Sequence, residues 1–285
     1  MQGAHEALVN PLYAAILGIV EGITEYLPVS STGHLILVSR LLGLEGEGVD
    51  AFAVVIQLGA ILAVVVQYRR LLWERTTGLV KGERASISLL VALVLGFAPT
   101  AVAGLLLRKA IKAALFGAKP VALALVVGGV VMIVIEALRA KKQRAAGGFA
   151  GPKTGLDGLE HVTPWRAFLI GLGQCVSMWP GSSRSMCTIV TGQLTGLSTA
   201  TAAEFSFLLG LPTLGAATLY EAYKSRVALA GVGGLNLAIG LVVSFLVAWA
   251  VIAGFIAYLK KRGLAPFGVY RILLGVVVFV VLVRI

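Results

Sequence analysis

The sequence has little charge, and it has few of the residues that build disulfide frameworks or metal centres. Only 13% of its 285 residues are charged, and it contains two cysteines and three histidines. Cys175 and Cys187 lie in apolar segments without metal-ligand spacing, so we interpret them as packing residues. The segment 1–10 has no basic region before its apolar stretch, which predicts that no signal peptide is removed. The mean hydropathy of +0.95 excludes an ordinary water-soluble domain.

Long apolar runs are what the sequence has instead. A helix of about 20 residues crosses a hydrocarbon core of roughly 30 Å. Six runs have about that length: 51–68, 87–107, 121–138, 203–220, 235–259 and 267–283. Four others are shorter or interrupted by Gly, Pro and Ser: 8–20, 29–42, 167–176 and 187–197. We predict an all-α polytopic membrane protein with six transmembrane helices and two pairs of broken or re-entrant helices. Since such backbone is tolerated at membrane depth only inside protein or beside a wet cavity, the broken pairs should mark the site.

The net charge of +11 raises nucleic acid as a partner class. The basic residues, however, lie in short loops between the apolar runs, so membrane topology explains them better and we predict no nucleic-acid partner. Most of them fall in 69–86, 139–166 and 260–266. By the positive-inside rule these loops are cytoplasmic, and both termini then face the outside.

The two halves of the chain echo each other. When Gly18 is set against Gly171, Glu21 meets Gln174, and a Pro-x-Ser-Ser segment is mirrored, with a slip of one residue, by a later Ser-Ser pair. We predict one membrane domain made of two repeats and a flexible linker loop: 1–140, 165–285 and 141–164. An odd number of spans per half predicts an inverted-topology repeat. Such proteins place their site between the repeats, with half-helix N-termini aimed at anions.

Three acidic residues, Glu21, Glu25 and Glu204, fall in apolar segments. Each charged group there costs about 2.5 kcal/mol or more on insertion scales, which favours a functional role. Glu21 and Glu25 are four residues apart, so on a helix their carboxylates are about 6 Å apart on one face. The pair then needs a shared proton or a cation, for which Mg²⁺ or Ca²⁺ is the suitable class. The alternative is that both carboxylates are hydrated near the membrane surface.

The next segment reads Leu-Pro-Val-Ser-Ser-Thr-Gly-His and ends at His34. Its proline ends one helix, and the hydroxyls of Ser30, Ser31 and Thr32 can cap the next, whose first N–H groups form an anion site. This pattern predicts a phosphate cradle. His34 can share the face of Ser31, although a lone histidine on an apolar face is often an ordinary core residue.

The second half offers a matching segment, Pro-Gly-Ser-Ser-Arg-Ser-Met-Cys-Thr, which runs from Pro180 to Thr188. Arg184 adds a permanent charge whose planar fork matches phosphate oxygens, unless it is a surface arginine in a loop. The candidate diphosphate-binding residues of this half are Ser182, Ser183, Arg184, Ser185 and Thr188. Carboxylates, a histidine, an arginine and several hydroxyls around one apolar cavity favour phosphoryl transfer to or from a lipid.

At these residues the chain resembles the undecaprenyl-diphosphate phosphatase family of bacteria, the bacitracin-resistance proteins. The family's first signature corresponds to Glu-Gly-Ile-Thr-Glu at 21–25 and continues to His34, and its second corresponds to 180–188 without departure. The resemblance implies hydrolysis of undecaprenyl diphosphate, which recycles the lipid carrier of peptidoglycan synthesis and confers bacitracin resistance. It also implies a divalent cation, residence in the inner membrane, and a site open to the extracytoplasmic face.

Two hypotheses remain open at this point. In the enzyme hypothesis Ser31 is the nucleophile and His34 handles the proton, or His34 itself attacks; Glu21 and Glu25 bind the cation, or Glu25 activates the hydroxyl or water. In the alternative, the broken helices and inverted repeat belong to a transporter or flippase for a phosphorylated polyprenyl lipid. The sequence carries no signature of an oligomeric state.

Overall fold

The computed structural model describes residues 9–115, 117–145 and 155–283. Within these ranges the chain is helical, and no strand forms beyond one isolated bridge between Leu156 and Leu197. The α-helices are α1 Pro11–Thr24, α2 Ser31–Leu41, α3 Glu47–Val55, α4 Gln57–Gln67, α5 Arg69–Val80, α6 Arg84–Leu115, α7 Ala118–Ala145, α8 Pro164–Cys175, α9 Arg184–Leu194, α10 Thr199–Lys224, α11 Arg226–Val232, α12 Gly234–Leu259 and α13 Ala265–Val283. The all-α polytopic class is confirmed.

Each of the six predicted spans falls on one of these helices or, in the first case, on two consecutive helices. Five segments of the described chain are long and apolar enough to cross a membrane: Glu47–Gln67, Arg84–Leu107, Ala118–Ala145, Thr199–Lys224 and Gly234–Leu259. The first of them is α3 and α4 together, interrupted at Ile56. The sixth predicted span is α13, which is apolar but shorter, as α1 is.

The four short apolar stretches form two helix pairs, α1 with α2 and α8 with α9. Both pairs begin alike, because a polar cap precedes a proline at the first helical position, where its missing N–H costs nothing. Asn10 Oδ1 accepts the amide of Tyr13 at 2.9 Å, and Thr163 Oγ1 accepts the amide of Arg166 at 3.3 Å. Each pair is then interrupted by a Pro-containing segment, at 25–30 and 176–183.

The broken pairs of one half pack on helices of the other half. Helix α1 lies along α12, and α8 lies along α6. Both crossings are close because they use glycine: a Cβ added at Gly18 would meet the Gly240 carbonyl at 2.8 Å, and one added at Gly171 would meet the Gly96 backbone. The two breaks lie side by side, because Arg271 bonds to the Pro28 carbonyl of one and the Gly181 carbonyl of the other.

The predicted linker is structured at both of its ends. Helix α7 continues to Ala145, and Asp157 accepts hydrogen bonds from Ser198 Oγ at 2.8 Å and Thr201 Oγ1 at 3.0 Å, at the start of α10. Residues 146–154 lie outside the described part of the chain. The division into repeats 1–140 and 165–285, and their inverted topology, stay predictions.

Candidate active site

Two serines start the helices that follow the breaks. Ser30 and Ser183 are the N-caps of α2 and α9, and their side chains accept the amides of Gly33 at 3.3 Å and Met186 at 3.2 Å. Both have positive φ, 72° and 70°, and they are the described non-glycine residues with this conformation. The two helix starts thus stand in register with each other, without the slip of one residue that the motif letters indicated.

Glu25 joins the two halves. Ser31 Oγ donates to its Oε2 at 2.6 Å, and Arg184 Nη2 donates to its Oε1 at 3.0 Å. The side chains of Arg184 and Glu25 are only 8% and 5% exposed, so the ion pair is shielded from solvent. Because a buried carboxylate of this kind needs both charge and hydrogen-bond partners, each contact fixes the other. The predicted meeting of a carboxylate-bearing half with an arginine-bearing half is present in the structure.

Arg184 makes three further contacts, two with Ser206 and one with Tyr26. Its Nη1 donates to the carbonyl and hydroxyl oxygens of Ser206 at 2.9 and 3.2 Å, and its guanidinium lies 5.5 Å from the ring centre of Tyr26. Tyr26 is itself fully buried and donates its hydroxyl to the Ala60 carbonyl at 3.0 Å. The Nε of Arg184 is buried without an acceptor among the described residues. A positioned guanidinium with a spare buried donor suits an anionic oxygen.

Glu21 is fully buried, and neither of its carboxylate oxygens accepts a hydrogen bond from an N–H or hydroxyl group of the described residues; the carboxyl group within hydrogen-bonding reach is that of Glu25. Glu21 lies within electrostatic range of Glu25 and Arg184. Unpartnered buried oxygens beside a second carboxylate fit a shared proton or a cation. No cluster of three or more His, Cys, Asp or Glu side chains occurs in the described part of the chain. A cation here would therefore complete its shell with hydroxyl, water or phosphate oxygens, as Mg²⁺ commonly does.

His34 does not hydrogen-bond to Ser31. Its Nδ1 lies 2.8 Å from the Ser30 carbonyl, which accepts only, so Nδ1 carries a proton. Its Nε2 lies 2.7 Å from the Tyr270 hydroxyl, and in the neutral ring it accepts from that hydroxyl. The ring nitrogen that is available for chemistry is therefore Nε2, while the hydroxyl of Ser31 has Glu25 as its partner.

The other predicted binding residues differ in their exposure and in their hydrogen bonds. Thr32 is exposed, whereas Ser182, Ser185 and Thr188 are buried and Ser183 is half-buried. Ser185 Oγ donates to the Leu27 carbonyl at 2.9 Å and lies 3.0 Å from Ser183 Oγ. Thr188 Oγ1 bonds to Ser206 Oγ at 2.6 Å. Ser185 thus ties the second helix start to the break before the first, and Thr188 ties α9 to α10.

Three site residues escaped sequence reasoning: Ser206, Tyr270 and Arg271. Arg271 is fully buried on α13 and donates to four backbone carbonyls. Its signal was present, because it is a basic residue in an apolar run, and the rule that selected Glu21 and Glu25 applies equally to cations. Ser206 and Tyr270 have no comparable signal in the sequence.

At this site the Glu25 carboxylate accepts hydrogen bonds from the Ser31 hydroxyl and the Arg184 guanidinium, and two helix N-termini begin beside it. The first amides of α2 and α9 precede the first intrahelical hydrogen bonds and remain available to an anion. A nucleophile, a proton acceptor and fixed positive charge are the parts that phosphoryl transfer requires.

Comparison with known proteins identifies the family of the chain. The family model described as bacitracin resistance protein BacA matches residues 14–277. The chain is 54% identical over 267 residues to a protein named undecaprenyl-diphosphatase from Sorangium cellulosum (strain So ce56), and the match covers 93% of this chain and 84% of the relative. The family match includes α2, α8, α9, all of α1 except its first three residues, and Tyr270 and Arg271.

Proposed function

The chain belongs to the bacitracin resistance protein family, and on that premise we propose that it hydrolyses undecaprenyl diphosphate to undecaprenyl phosphate and inorganic phosphate. The activity recycles the lipid carrier of peptidoglycan and other envelope polymers and confers bacitracin resistance. The observation that supports it best is the Glu25 carboxylate, which is bracketed by the Ser31 hydroxyl from one broken-helix pair and by Arg184 from the other.

In the proposed mechanism the diphosphate head lies between the two serine-capped helix starts, and the prenyl tail lies in the bilayer or along apolar helix surface. Ser31 Oγ attacks the terminal phosphorus, its proton passes to Glu25, and the bond from phosphorus to the bridging oxygen breaks. Undecaprenyl phosphate leaves. Water then hydrolyses the phosphoserine, which releases inorganic phosphate and restores the hydroxyl.

Arg184 serves two purposes in this scheme. It holds Glu25 in place and it presents positive charge to the equatorial phosphate oxygens. Among the remaining predicted binding residues, Ser30 and Thr32 flank the nucleophile, while Ser182, Ser183, Ser185 and Thr188 shape the second helix start. The alternative nucleophile is His34, which would attack through Nε2 once Tyr270 releases it.

A divalent cation, Mg²⁺ or Ca²⁺, belongs to the proposal. Glu21 would hold it, since its buried oxygens accept from no N–H or hydroxyl group of the described residues, and Glu25 would join it as a ligand in the scheme with His34 as nucleophile, where Glu25 takes no proton. When bound, it would offset negative charge on the diphosphate. Titrating chelator-treated protein with Mn²⁺ and following its paramagnetic signal tests this directly. We expect binding that the Glu21→Gln variant lacks; equal binding by both proteins would contradict the assignment.

The decisive experiment is phosphate release from undecaprenyl diphosphate by purified protein in detergent, where no compartments exist. The Arg184→Ala variant, prepared in the same detergent, is the control for contaminating phosphatases, because the proposal needs Arg184 whichever residue is the nucleophile. Release by the wild type alone supports the enzyme. Absence of release, together with movement of the lipid across vesicles, would instead support the transporter or flippase that the broken helices also allow.

Phosphoenzyme trapping separates the nucleophiles. We expect labelled phosphate on the wild type and on His34→Ala, and none on Ser31→Ala. Acid-labile label that persists in Ser31→Ala would identify His34 instead. If none of the three proteins carries label while the wild type turns over, direct attack by water replaces both.

The finer placement of the protein is part of the same proposal. We place it in the inner membrane, with the loops at 69–86, 139–166 and 260–266 in the cytoplasm and the site open to the opposite face, because the basic residues concentrate in those loops. Labelling single cysteines in the 260–266 loop of intact cells with an impermeant reagent tests this orientation. We expect no reaction until the cells are permeabilised; labelling of intact cells would reverse the topology.

A further inference from the structure

Arg271 spans the gap between the two helix breaks. Its Nη1 donates to the Pro28 carbonyl at 3.2 Å, and its Nη2 donates to the carbonyls of Gly181 at 2.9 Å and Ser182 at 3.1 Å. A further bond at 3.1 Å reaches the Ala124 carbonyl on α7. One fully buried side chain therefore contacts both segments that precede the serine caps.

The carbonyls that Arg271 binds occupy matching positions. Pro28 is two residues before the cap Ser30, and Gly181 is two residues before the cap Ser183. Helix breaks leave carbonyls of this kind without an intrahelical donor, and water is scarce at membrane depth. Arg271 supplies donors to both at once, so its planar fork sets the distance and orientation of one break relative to the other.

The charge of Arg271 has no paired carboxylate. The ion pairs of the described residues do not include it, and its Nε has no acceptor among them. Hydrogen bonds to carbonyl dipoles alone are an expensive way to keep a guanidinium in an apolar interior. A residue whose only purpose was helix packing would be better replaced by an apolar side chain, which argues for a role at the site.

We propose that Arg271 is a positioning residue for phosphoryl transfer: it holds the two serine-capped helix starts in the register that lets Ser31 and Arg184 meet at Glu25. The inference rests on the proposed function, because register matters only if both helix starts act on one substrate. A displacement of about 1 Å at such a site typically costs about 100-fold in rate.

Two glycines at the α7–α13 contact allow a test that leaves Arg271 in the chain. A Cβ added at Gly128 on α7 would lie 2.9 Å from Arg271 Cζ, so Gly128→Ala should push the guanidinium off its carbonyls. A Cβ added at Gly275 on α13 would lie 2.7 Å from Val126 Cγ2 and 3.0 Å from the Ala122 carbonyl, so Gly275→Ala strains the same contact with no guanidinium atom among its nearest neighbours. Gly275→Ala is therefore the matched control.

The measurements are kcat, KM and Tm for phosphate release by the full-length protein in detergent. We expect Gly128→Ala to lose about 100-fold in kcat, and Gly275→Ala to keep kcat within about threefold of wild type at a comparable loss of Tm. Equal kcat values for both variants would assign Arg271 to packing alone and overturn the proposal. Loss of activity in wild type as well would instead overturn the proposed function.

A second variant covers the case in which Gly128→Ala fails to fold. Arg271→Ala leaves a cavity the size of a guanidinium, and millimolar guanidinium should restore part of its kcat, whereas urea at the same concentration should not. Equal effects of guanidinium and urea, or wild-type kcat for the variant without either, would contradict a positioning role for the side chain.

Discussion

The two broken-helix pairs share a backbone and differ in chemistry. Ser30 and Ser183 cap their helices with the same positive φ, and each begins a helix of 11 residues. A non-glycine residue in such a conformation costs on the order of 1–2 kcal/mol. That both breaks keep it indicates that the direction of the first helical amides is worth this cost, as an anion site requires.

Directly after each cap the side chains diverge. The first pair presents Ser31 and the second presents Arg184, and both reach the same carboxylate. Glu25 in the first pair stands opposite Met178 in the second, and Glu21 stands opposite Gln174. Acids thus belong to one pair and the permanent cation to the other. The difference shows that neither pair holds a complete site, and that the chemistry exists only where they meet.

Among the residues that distinguish the two pairs, Glu25 should have the largest effect on turnover. We expect Glu25→Gln to reduce kcat by about 1,000-fold, because the variant loses the proton acceptor of Ser31 and the charge that fixes Arg184. Glu204→Gln is the control, since Glu204 is an acidic residue of a membrane span outside this network. Turnover within tenfold of wild type for Glu25→Gln, measured as phosphate release, would remove the carboxylate from the mechanism.

Arg184→Lys tests the other partner. A lysine keeps the charge but cannot bond Glu25, Ser206 and a phosphate oxygen together, so we expect kcat to fall about 100-fold. The double variant with Glu25→Gln should be far less than additive, because each single change already breaks the same contact. Additive losses in this cycle, or normal turnover by Arg184→Lys, would show that the two residues act independently.

Local patterns in the sequence predicted the helices, whereas contacts between residues far apart in the sequence form the site. Apolar length located the five segments of the described chain that can cross a membrane, and Ser30, one of the three hydroxyl residues predicted to cap α2, does so because capping depends on residues a few positions away. The Glu25 to Arg184 bond joins residues 159 positions apart, which no local pattern encodes.

The role of His34 shows the same limit more sharply. Its spacing from Ser31 is right for a shared helix face, yet its ring bonds to Tyr270, which lies 236 positions away, and to the carbonyl of Ser30. Helical periodicity gives the side on which a residue lies, but tertiary packing decides which partner its side chain finds there.

Glu21 and Gln174 occupy matching positions one helical turn before Glu25 and Met178, and exchanging their side-chain types tests this difference between the pairs. Glu21→Gln gives the first pair the amide of the second; we expect about a tenfold loss of kcat and loss of Mn²⁺ binding, because one ligand and one charge disappear. Gln174→Glu is the reciprocal change. It buries a carboxylate beside Thr100 and Thr213, so it should lower Tm while leaving KM unchanged. Metal binding retained by Glu21→Gln would place the cation elsewhere.

The smallest predicted effect separates two hydroxyls that stand opposite each other, Thr32 and Ser185. Thr32 is exposed, so we expect Thr32→Ala to raise KM about fivefold, the value of one solvent-exposed hydrogen bond of about 1 kcal/mol to the diphosphate, with Tm unchanged. Ser185 donates to the Leu27 carbonyl, which also accepts from the Val29 amide, so Ser185→Ala removes one hydrogen bond between the two pairs and should lower the free energy of unfolding by about 1 kcal/mol with KM unchanged. Steady-state kinetics and thermal unfolding of both variants check this. If instead Ser185→Ala raised KM and Thr32→Ala lowered Tm, the second helix start would be the one that touches substrate, and the division of labour between the pairs would be reversed.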